Sequence, residues 1–191
     1  DSRDPLLPNH GDGVIVEYAR STIRNTVLQG KIVEILGPGN TIDTWMRLVC
    51  VKFDLPYRFS DKVLRETKSL GESAQQDDNR VDLRAMEHIT IDGENAKDFD
   101  DAIALKKSQQ GFQLYVSIAD VSFFVNAGKA IDREAYARGT SIYFPDRVIP
   151  MLPERLSNDL CSLVENEDRL TLTAILEFDH SGKRISKKFC R

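Results

Sequence analysis

The sequence predicts an α+β fold in which strands predominate. Short segments rich in Val, Ile, Thr and aromatic residues alternate apolar and polar side chains, a pattern typical of strands with one buried face. Clusters of Gly, Pro, Asn and Asp separate these segments, and only a few stretches carry the capping residues of helices. The 191 residues are enough for one or two domains with a buried core.

The first part of the chain predicts part of a small antiparallel barrel or sheet. Its expected strands are residues 13–19 (GVIVEYA), 30–36 (GKIVEIL) and 46–53 (MRLVCVKF), with a turn cluster at residues 37–40. Ser60 is the expected N-cap of a helix from Asp61 to Leu70, and Gly71 is expected to end that helix.

A polar, aperiodic stretch at residues 72–82 is typical of a linker. We therefore divide the chain into a first domain with its connecting helix (1–71), a linker (72–85) and a second domain (86–191). The second domain is expected to contain extended segments at 88–92, 102–107, 112–125, 140–150, 170–178 and 184–189, and helices at 132–138 and 156–163. Gly139 is the expected end of the first of these helices.

The bulk composition excludes several classes of protein. A net charge of −4 argues against a generally basic nucleic-acid binder. The three cysteines lack C-x-x-C spacing, which favours neither a zinc site nor a disulfide framework, so we expect a reducing compartment, the cytoplasm. No apolar run approaches the ~20 residues of a membrane-spanning helix, and no membrane partner is expected.

The acidic charge is concentrated in one window. Residues 92–101 hold five acidic residues and one lysine, which accounts for the whole net charge. Four of the acids are aspartates: Asp92, Asp98, Asp100 and Asp101. If a tight loop brings them together, each pair at ~4 Å costs about 4 kcal/mol at an effective dielectric of ~20. Divalent cations offset this repulsion, and carboxylate oxygens suit Mg²⁺, with Mn²⁺ as an alternative.

Three other interpretations of residues 92–101 are open. A solvated acidic loop is the simplest, but Phe99 and Ala102 interrupt the charges and Gly93 permits a close turn. A calcium loop of the EF-hand type would need a Gly at its sixth position and a Glu at its twelfth. An aspartyl-phosphate phosphatase would need an apolar strand before its paired aspartates, whereas residues 95–97 are polar. The spacing therefore favours metal-assisted phosphoryl chemistry and leaves the substrate open.

The stretch TIDGENAKDFDDAIAL at residues 90–105 resembles the signature of the ribonuclease II / ribonuclease R family of exoribonucleases. The resemblance continues through residues 115–125, 132–163 and 168–178, and it looks closer to the ribonuclease R branch. Upstream, GDGVIVEYA, GKIVEILG and VKFDLPYRFSDKVLRET look like the end of a cold-shock OB domain. The resemblance implies a partial OB-like barrel followed by the N-terminal part of a ribonuclease II-type catalytic domain.

The same resemblance implies an activity and the residues that perform it. The activity is Mg²⁺-dependent 3′-to-5′ hydrolysis of single-stranded RNA to nucleoside 5′-monophosphates. Asp92, Asp98, Asp100 and Asp101 match the family's catalytic, metal-binding aspartates, and Asp100 matches the position most closely tied to the chemical step. Tyr143 matches the tyrosine that stacks on the 3′-terminal nucleotide.

The family's catalytic domain is longer than the part matched here, so we expect this chain, which lacks an initial Met, to be a fragment with little or no activity. Its incomplete parts are expected to expose apolar patches and to self-associate. The alternative is a shortened, non-catalytic relative that binds RNA or a protein, although four intact aspartates favour the nuclease.

Several other residues are given structural interpretations. Asp120 is expected to be a buried hydrogen-bonding partner, and Phe123 and Phe124 are expected in the core. Arg147 and Arg155 could contact phosphate, but a lone arginine is usually a solvated surface residue, which is the expectation here. The three histidines are scattered along the sequence and suggest no catalytic pair: His10, His88 and His180.

Overall fold

The structure, a computed structural model, describes residues 7–18, 30–71 and 79–191. Its strands are β1 (Asp12–Tyr18), β2 (Gly30–Pro38), β3 (Asp101–Ser108), β4 (Gly111–Ala119), β5 (Ile142–Tyr143), β6 (Val148–Ile149), β7 (Thr171–Asp179) and β8 (Arg184–Cys190). Its helices are α1 (Ile42–Lys52), α2 (Asp61–Ser69), α3 (Val121–Phe124) and α4 (Ala130–Arg138), together with a π-helix at Leu156–Leu160. Strands predominate, as the sequence predicts, and in the described ranges they do not close into a barrel.

The chain divides into two compact units. Unit 1 comprises residues 1–58 with 143–149, and unit 2 comprises residues 59–142 with 150–191. The linker expected at residues 72–85 stays a prediction, because residues 72–78 lie outside the described residues.

Unit 1 is built on the antiparallel ribbon of β1 and β2. Both strands were predicted, and helix α1 packs against them. The packing depends on Gly13, because a Cβ atom there would lie 2.6 Å from the methyl carbon of Thr44. Thr44 is fully buried and donates its hydroxyl hydrogen to the carbonyl oxygen of Leu36 over 3.1 Å. Arg47 and Glu34 add an ion pair with an N–O distance of 2.8 Å.

The strand predicted at residues 46–53 was wrong, because these residues belong almost entirely to helix α1. The Thr41 side chain caps the helix by accepting a hydrogen bond from the Thr44 amide over 3.3 Å. Met46 and Cys50, four residues apart, are both buried on one face. The sequence pattern of residues 46–53 predicted a strand because their apolar and polar residues nearly alternate. The N-cap of the helix, Thr41, lies before this run.

Strands β5 and β6 confirm the extended character expected for residues 140–150. Residues 143–149 group with unit 1, where Arg147 pairs with Asp43 of helix α1 at 2.6 Å. Arg147 also pairs with its neighbour Asp146 at 2.7 Å. Its charge is therefore engaged within the protein, in contrast to the solvated residue that the sequence suggested.

Unit 2 contains an antiparallel sheet with the strand order β3-β4-β7-β8. All four strands were predicted, although the run at 112–125 was wrong beyond Ala119, where β4 ends and helix α3 follows Asp120. The strand predicted at 88–92 was also wrong. Only Ile89 pairs with the sheet, through a single bridge to Ile103. Ile91 is 80% exposed, so its apolar side chain does not mark a buried strand face.

The helices of unit 2 follow their predicted caps. The Ser60 hydroxyl accepts the amide of Val63 at the start of α2, and Gly139 ends α4 with a φ of 74°. The helix predicted at 156–163 is shorter, with π geometry over Leu156–Leu160. Arg155 donates to the carbonyl oxygens of Thr67, Lys68 and Leu70, so it caps the end of α2 instead of being freely solvated.

The core of unit 2 lies where these helices meet the end of the sheet. Its buried side chains come from α2, α3, α4 and the π-helical segment as well as from β4: Val63, Ala119, Phe124, Ile131, Leu152, Leu156, Leu160 and Cys161. Phe124 belongs to this core as expected, whereas Phe123 is 37% exposed. The core therefore anchors the segment around residue 160 close to the end of β4.

The two faces of the sheet differ in burial. Ala104, Ser117 and Thr173 are buried on one face, while apolar side chains on the other are exposed: Leu105, Ile118, Leu172 and Phe189. These exposed side chains agree with the apolar patches that the sequence leads us to expect. None of the described helices combines the length and the apolar character that crossing a membrane requires.

Candidate active site

The four aspartates lie on and beside one loop of unit 2, between the bridge at Ile89 and the start of strand β3. Ile89 and Ile103 exchange two backbone hydrogen bonds of 2.9 Å, which tie the loop's approach to the sheet. At its other end, the Asp100 carbonyl oxygen accepts the amide of Ala119 over 2.9 Å. Asp101 is the first residue of β3. The sheet therefore holds both ends of the acidic segment.

Asp100 is the electrostatic centre of this segment. Partial burial raises the pKa of its carboxyl group above the ordinary value of 3.8, and the charges of Asp98, Asp101 and Asp92 raise it further. Asp98 is half-buried, whereas the other three aspartates are exposed residues. The structure thus brings all four predicted aspartates close enough for three of them to act on the fourth.

The donor chemistry of the cluster fits a hard divalent cation. Its side chains offer carboxylate oxygens, the ligands that Mg²⁺ and Mn²⁺ prefer, and a cation would relieve the repulsion at Asp100. Across the described ranges, no three His, Cys, Asp or Glu side chains converge closely enough to form a metal-binding group by themselves. Binding would therefore require the aspartate side chains to draw together.

A turn after the π-helix lies against the acidic loop. The Ser162 hydroxyl and the Leu163 amide form hydrogen bonds with the backbone of residues 97–99. The Cys161 thiol beside them is buried, and burial together with the charge of Asp100 raises its pKa to about 12. Cys161 is consequently a neutral packing residue and not a thiolate ligand. Sequence reasoning missed Ser162, because 63 to 65 residues separate it from its partners in the loop.

Tyr143 belongs to unit 1, whereas the aspartates belong to unit 2. Tyr143 lies on the short strand β5 and is 70% exposed. This exposure excludes the core-packing role that is usual for a tyrosine in a strand. The ring is free to contact a ligand, which agrees with the stacking role that the resemblance implies.

Asp120 takes the structural role that the sequence predicted for it. Its buried carboxylate accepts hydrogen bonds of 2.8 Å from Arg80 and from the hydroxyl of Ser122, and Arg191 lies 3.5 Å away. Burial alone would raise its pKa, but these hydrogen bonds and the arginine charges lower the pKa below its ordinary value. Asp120 is therefore a satisfied carboxylate with no need of a metal ion.

An open cleft of about 1050 Å³ lies beside the acidic loop in unit 2. Thr90 and Ala102, which flank the loop, line it, but the four aspartates do not. Its arginines are engaged with acidic side chains in several ion pairs: Arg80 with Asp120, Arg84 with Asp82 and Asp168, and Arg169 with Asp159 and Glu167. The cleft is consequently not a strongly basic surface.

Comparison with protein-family models identifies both parts of the chain. Residues 80–191 match the RNB domain, and residues 3–60 match the cold shock domain. The RNB match covers more than half of the 191 residues and contains all four aspartates. The chain belongs to the ribonuclease II / ribonuclease R family of RNA-degrading exoribonucleases. The family resemblance found in the sequence is thereby confirmed.

Curated relatives of this chain include Ribonuclease R proteins. The chain is 43% identical over 192 residues to Ribonuclease R of Acidithiobacillus ferrooxidans, covering 97% of this chain and 43% of that protein. It is 47% identical over 187 residues to Ribonuclease R of Thermotoga maritima, covering 95% and 26%. The chain therefore spans less than half the length of these relatives.

Solved structures agree with the fold. An RNase R of Mycoplasma genitalium in complex with double-stranded RNA matches with a TM-score of 0.87 and 30% identity, covering 96% of this chain and 34% of that chain. The structure titled as yeast Ssd1, a pseudonuclease, matches with a TM-score of 0.67 at 18% identity, covering 91% of this chain and 23% of that one. The second likeness concerns the fold alone.

Proposed function

We propose that this chain carries the metal-binding centre of a Mg²⁺-dependent 3′-to-5′ exoribonuclease. The enzyme would hydrolyse single-stranded RNA and release nucleoside 5′-monophosphates. The observation that carries the proposal is the convergence of three aspartate charges on Asp100 inside a segment that matches the RNB domain. A cluster of mutually repelling carboxylates is unfavourable unless a cation compensates it.

The four aspartates would share the work at this centre. Asp92, Asp98, Asp100 and Asp101 would hold Mg²⁺, or Mn²⁺ in its place. When bound at these carboxylates, the metal would supply Lewis-acid chemistry: activation of a water molecule and stabilisation of the leaving 3′ oxygen. The protein's own contribution is to hold the aspartates, by fixing one end of the loop to β4 and the other to Ile103.

Single-stranded RNA is the proposed partner. Mycoplasma genitalium RNase R, a relative of known structure with a TM-score of 0.88, is described in complex with ribose-methylated single-stranded RNA. The exposed ring of Tyr143 would stack on a base at the 3′ end, an interaction that any base can make. This tolerance suits an enzyme that removes successive nucleotides without reading their sequence.

We propose further that the 191-residue chain by itself cleaves RNA weakly or not at all. It spans 43% of the Acidithiobacillus relative and 26% of the Thermotoga relative. The arginines of the cleft beside the acidic loop are engaged with carboxylates, which leaves little net positive charge there to hold RNA phosphates. Efficient Mg²⁺-dependent release of mononucleotides by this chain would contradict the proposal.

The decisive substitution is Asp100→Asn in the complete natural protein that contains this sequence. The amide removes one negative charge from the centre with little change in shape, so cleavage should fall by at least ~10³-fold while RNA binding persists. Product release is followed with labelled single-stranded RNA, and binding is followed by fluorescence anisotropy. The matched control is Glu94→Gln in the same loop, which should retain most of the activity.

The alternative function is that of a non-catalytic relative that binds RNA or a protein. The share of the relatives that this chain spans, 43% of the Acidithiobacillus protein and 26% of the Thermotoga protein, keeps this alternative open. Four intact aspartates favour the nuclease, because a protein that only binds does not need clustered carboxylates. Unchanged cleavage in Asp100→Asn, or a complete natural protein that releases no nucleotides with Mg²⁺, would favour the alternative.

A further inference from the structure

Ser162 makes an unusual pair of contacts with the acidic loop. Its hydroxyl donates to the carbonyl oxygen of Lys97 over 2.7 Å and accepts the amide of Phe99 over 3.0 Å. The residue is 1% exposed, so water does not compete for either bond. Asp98 lies between the two bonded positions, and Asp100 follows directly after them. One side chain thus holds the backbone on both sides of Asp98.

The neighbouring residue completes this clamp. The Leu163 amide donates to the carbonyl oxygen of Phe99 over 2.9 Å, so both backbone polar groups of Phe99 are bonded to residues 162–163. By contrast, the first half of the loop is held by a local turn in which the Ala96 amide donates to the carbonyl oxygen of Gly93. The loop's tertiary restraint is therefore concentrated next to Asp98 and Asp100.

The clamp is attached to the core of unit 2. Leu156, Leu160 and Cys161, which precede it, are buried core residues. From the other side, Arg169 donates its Nε hydrogen to the carbonyl oxygen of Ser162 over 2.9 Å. A hydroxyl fixed in this way can transmit the rigidity of the core to the loop.

From these contacts we infer that Ser162 is a positioning residue that sets the backbone of Asp98 and Asp100 for binding a divalent cation. This inference rests on the proposed function and adds a residue that touches neither metal nor RNA. Groups that orient metal ligands typically contribute 10- to 100-fold to metal affinity. Ser162 would act in this way through two backbone bonds instead of a bond to a carboxylate.

The test is Mn²⁺ binding to the 191-residue chain, measured by electron paramagnetic resonance of free Mn²⁺. Ser162→Ala should weaken binding by about tenfold, because the loop backbone loses both bonds. Thr173→Val is the matched control: it removes a hydroxyl that is equally buried and is bonded to Ser117 and Thr171, away from the loop. The control should lose stability to a similar extent and keep its Mn²⁺ affinity.

A second readout separates positioning from a general loss of stability. In Ser162→Ala, amide hydrogen exchange of Phe99 should accelerate more than that of residues in β4, whereas Thr173→Val should not single out Phe99. Ser162→Thr, which keeps the hydroxyl, should bind Mn²⁺ more tightly than Ser162→Ala. Equal Mn²⁺ affinity in Ser162→Ala and Thr173→Val, with unchanged exchange of Phe99, overturns the inference.

The variant Asp100→Asn distinguishes this result from a failure of the proposed function. If wild-type chain binds Mn²⁺ and Asp100→Asn does not, the metal centre stands and the Ser162 variants decide the inference alone. If Asp100→Asn binds Mn²⁺ as tightly as wild type, or wild type binds none, the metal centre itself is refuted. The inference about cation binding then falls with it.

Discussion

Asp100 and Asp120 belong to the same unit, yet the pKa values of their carboxyl groups move in opposite directions. Arginines and a serine surround Asp120 and lower its pKa. Three aspartates act on Asp100 and, together with partial burial, raise its pKa. The carboxylate of Asp120 is paired with arginines of the fold, whereas the carboxylate of Asp100 is acted on by like charges.

The direction of the pKa shift separates carboxylates that stabilise the fold, such as Asp120, from carboxylates available for function, such as Asp100. A buried carboxylate with hydrogen-bonded cations is satisfied, and removing it leaves its partners unpaired. A cluster of like charges works against the folded state and is typical of a functional site. Tyr115, which is buried, and Tyr143, which is exposed, differ in the same way. So do the buried and exposed faces of the sheet of unit 2.

The largest expected effect is that of Asp120→Ala. The substitution removes a buried carboxylate that is hydrogen-bonded to the half-buried guanidinium of Arg80 and to the Ser122 hydroxyl, so it should cost about 3–5 kcal/mol of unfolding free energy. Urea unfolding followed by circular dichroism measures the loss. Asp100→Asn should change stability little in the same assay. A cost below ~1 kcal/mol for Asp120→Ala would remove the contrast between the two aspartates.

The two tyrosines should separate RNA binding from stability. Tyr143→Ala should weaken binding of single-stranded RNA by ~1–3 kcal/mol, because an exposed stacking ring is lost. Tyr136→Ala is the matched control, since Tyr136 is 90% exposed and lies on helix α4. Tyr115 is buried and donates to Gln113 over 2.6 Å, so Tyr115→Phe should cost ~1 kcal/mol of stability without affecting RNA.

Fluorescence anisotropy with a short single-stranded RNA gives the binding side of this comparison, using the complete natural protein. Equal losses of affinity in Tyr143→Ala and Tyr136→Ala would show that Tyr143 has no special role. A large loss of stability in Tyr143→Ala would contradict its assignment as a residue available to ligand.

Asp100 and Asp120 should change the free energy of unfolding with pH in opposite directions. This effect should be smaller than those of the substitutions above. The lowered pKa of Asp120 gives stability that is present above 3.8 and is lost as pH falls through its folded pKa. The raised pKa of Asp100 gives stability that is present below 3.8 and is lost as pH rises through its folded pKa.

Urea unfolding between about pH 2 and 7, in metal-free buffer, measures both effects, that of Asp120 at the acidic end of the range. Relative to wild type, Asp100→Asn should become more stable as pH rises, whereas Asp120→Asn should become less stable. Parallel pH curves for wild type and Asp100→Asn would show that the aspartate cluster is not electrostatically strained.

The smallest expected effect concerns the exposed apolar face of the sheet. We propose that this face supports weak self-association, because Leu105 and Phe189 are each 63% exposed on it. Leu105→Lys should raise the dimer dissociation constant about 3-fold, measured by sedimentation equilibrium. Leu7→Lys, a change at an 81% exposed residue outside the sheet, is the control. A strictly monomeric wild-type chain would contradict the proposal.

Much of the fold follows from local patterns. Strands β1–β4, β7 and β8 carry clear alternation or β-rich runs, and Ser60 and Gly139 mark helix ends by their own backbone preferences. Local patterns predicted strands wrongly at two apolar runs, residues 46–53 and residues 88–92. Residues 46–53 form a helix whose cap, Thr41, precedes the run, and Ile91 is simply exposed in a loop.

The candidate site was predictable in part. The metal centre that the spacing of the four aspartates predicts stays a prediction. The structure does place Asp92, Asp98 and Asp101 where their charges act on Asp100. The role of Asp120 as a buried partner was also predictable. Ser162 was not, because the chain must fold before residue 162 meets residues 97–99.

The sequence by itself determined the family of this protein, the close spacing of its four aspartates and most of its strands, because all of these depend on residues close together along the chain. The tertiary structure alone decided which carboxylates are satisfied. Arg80 and Arg191 reach Asp120 from distant positions, whereas three aspartates act on Asp100. The physical reason is that the energy of a charge is set by its spatial neighbours, and only folding establishes them.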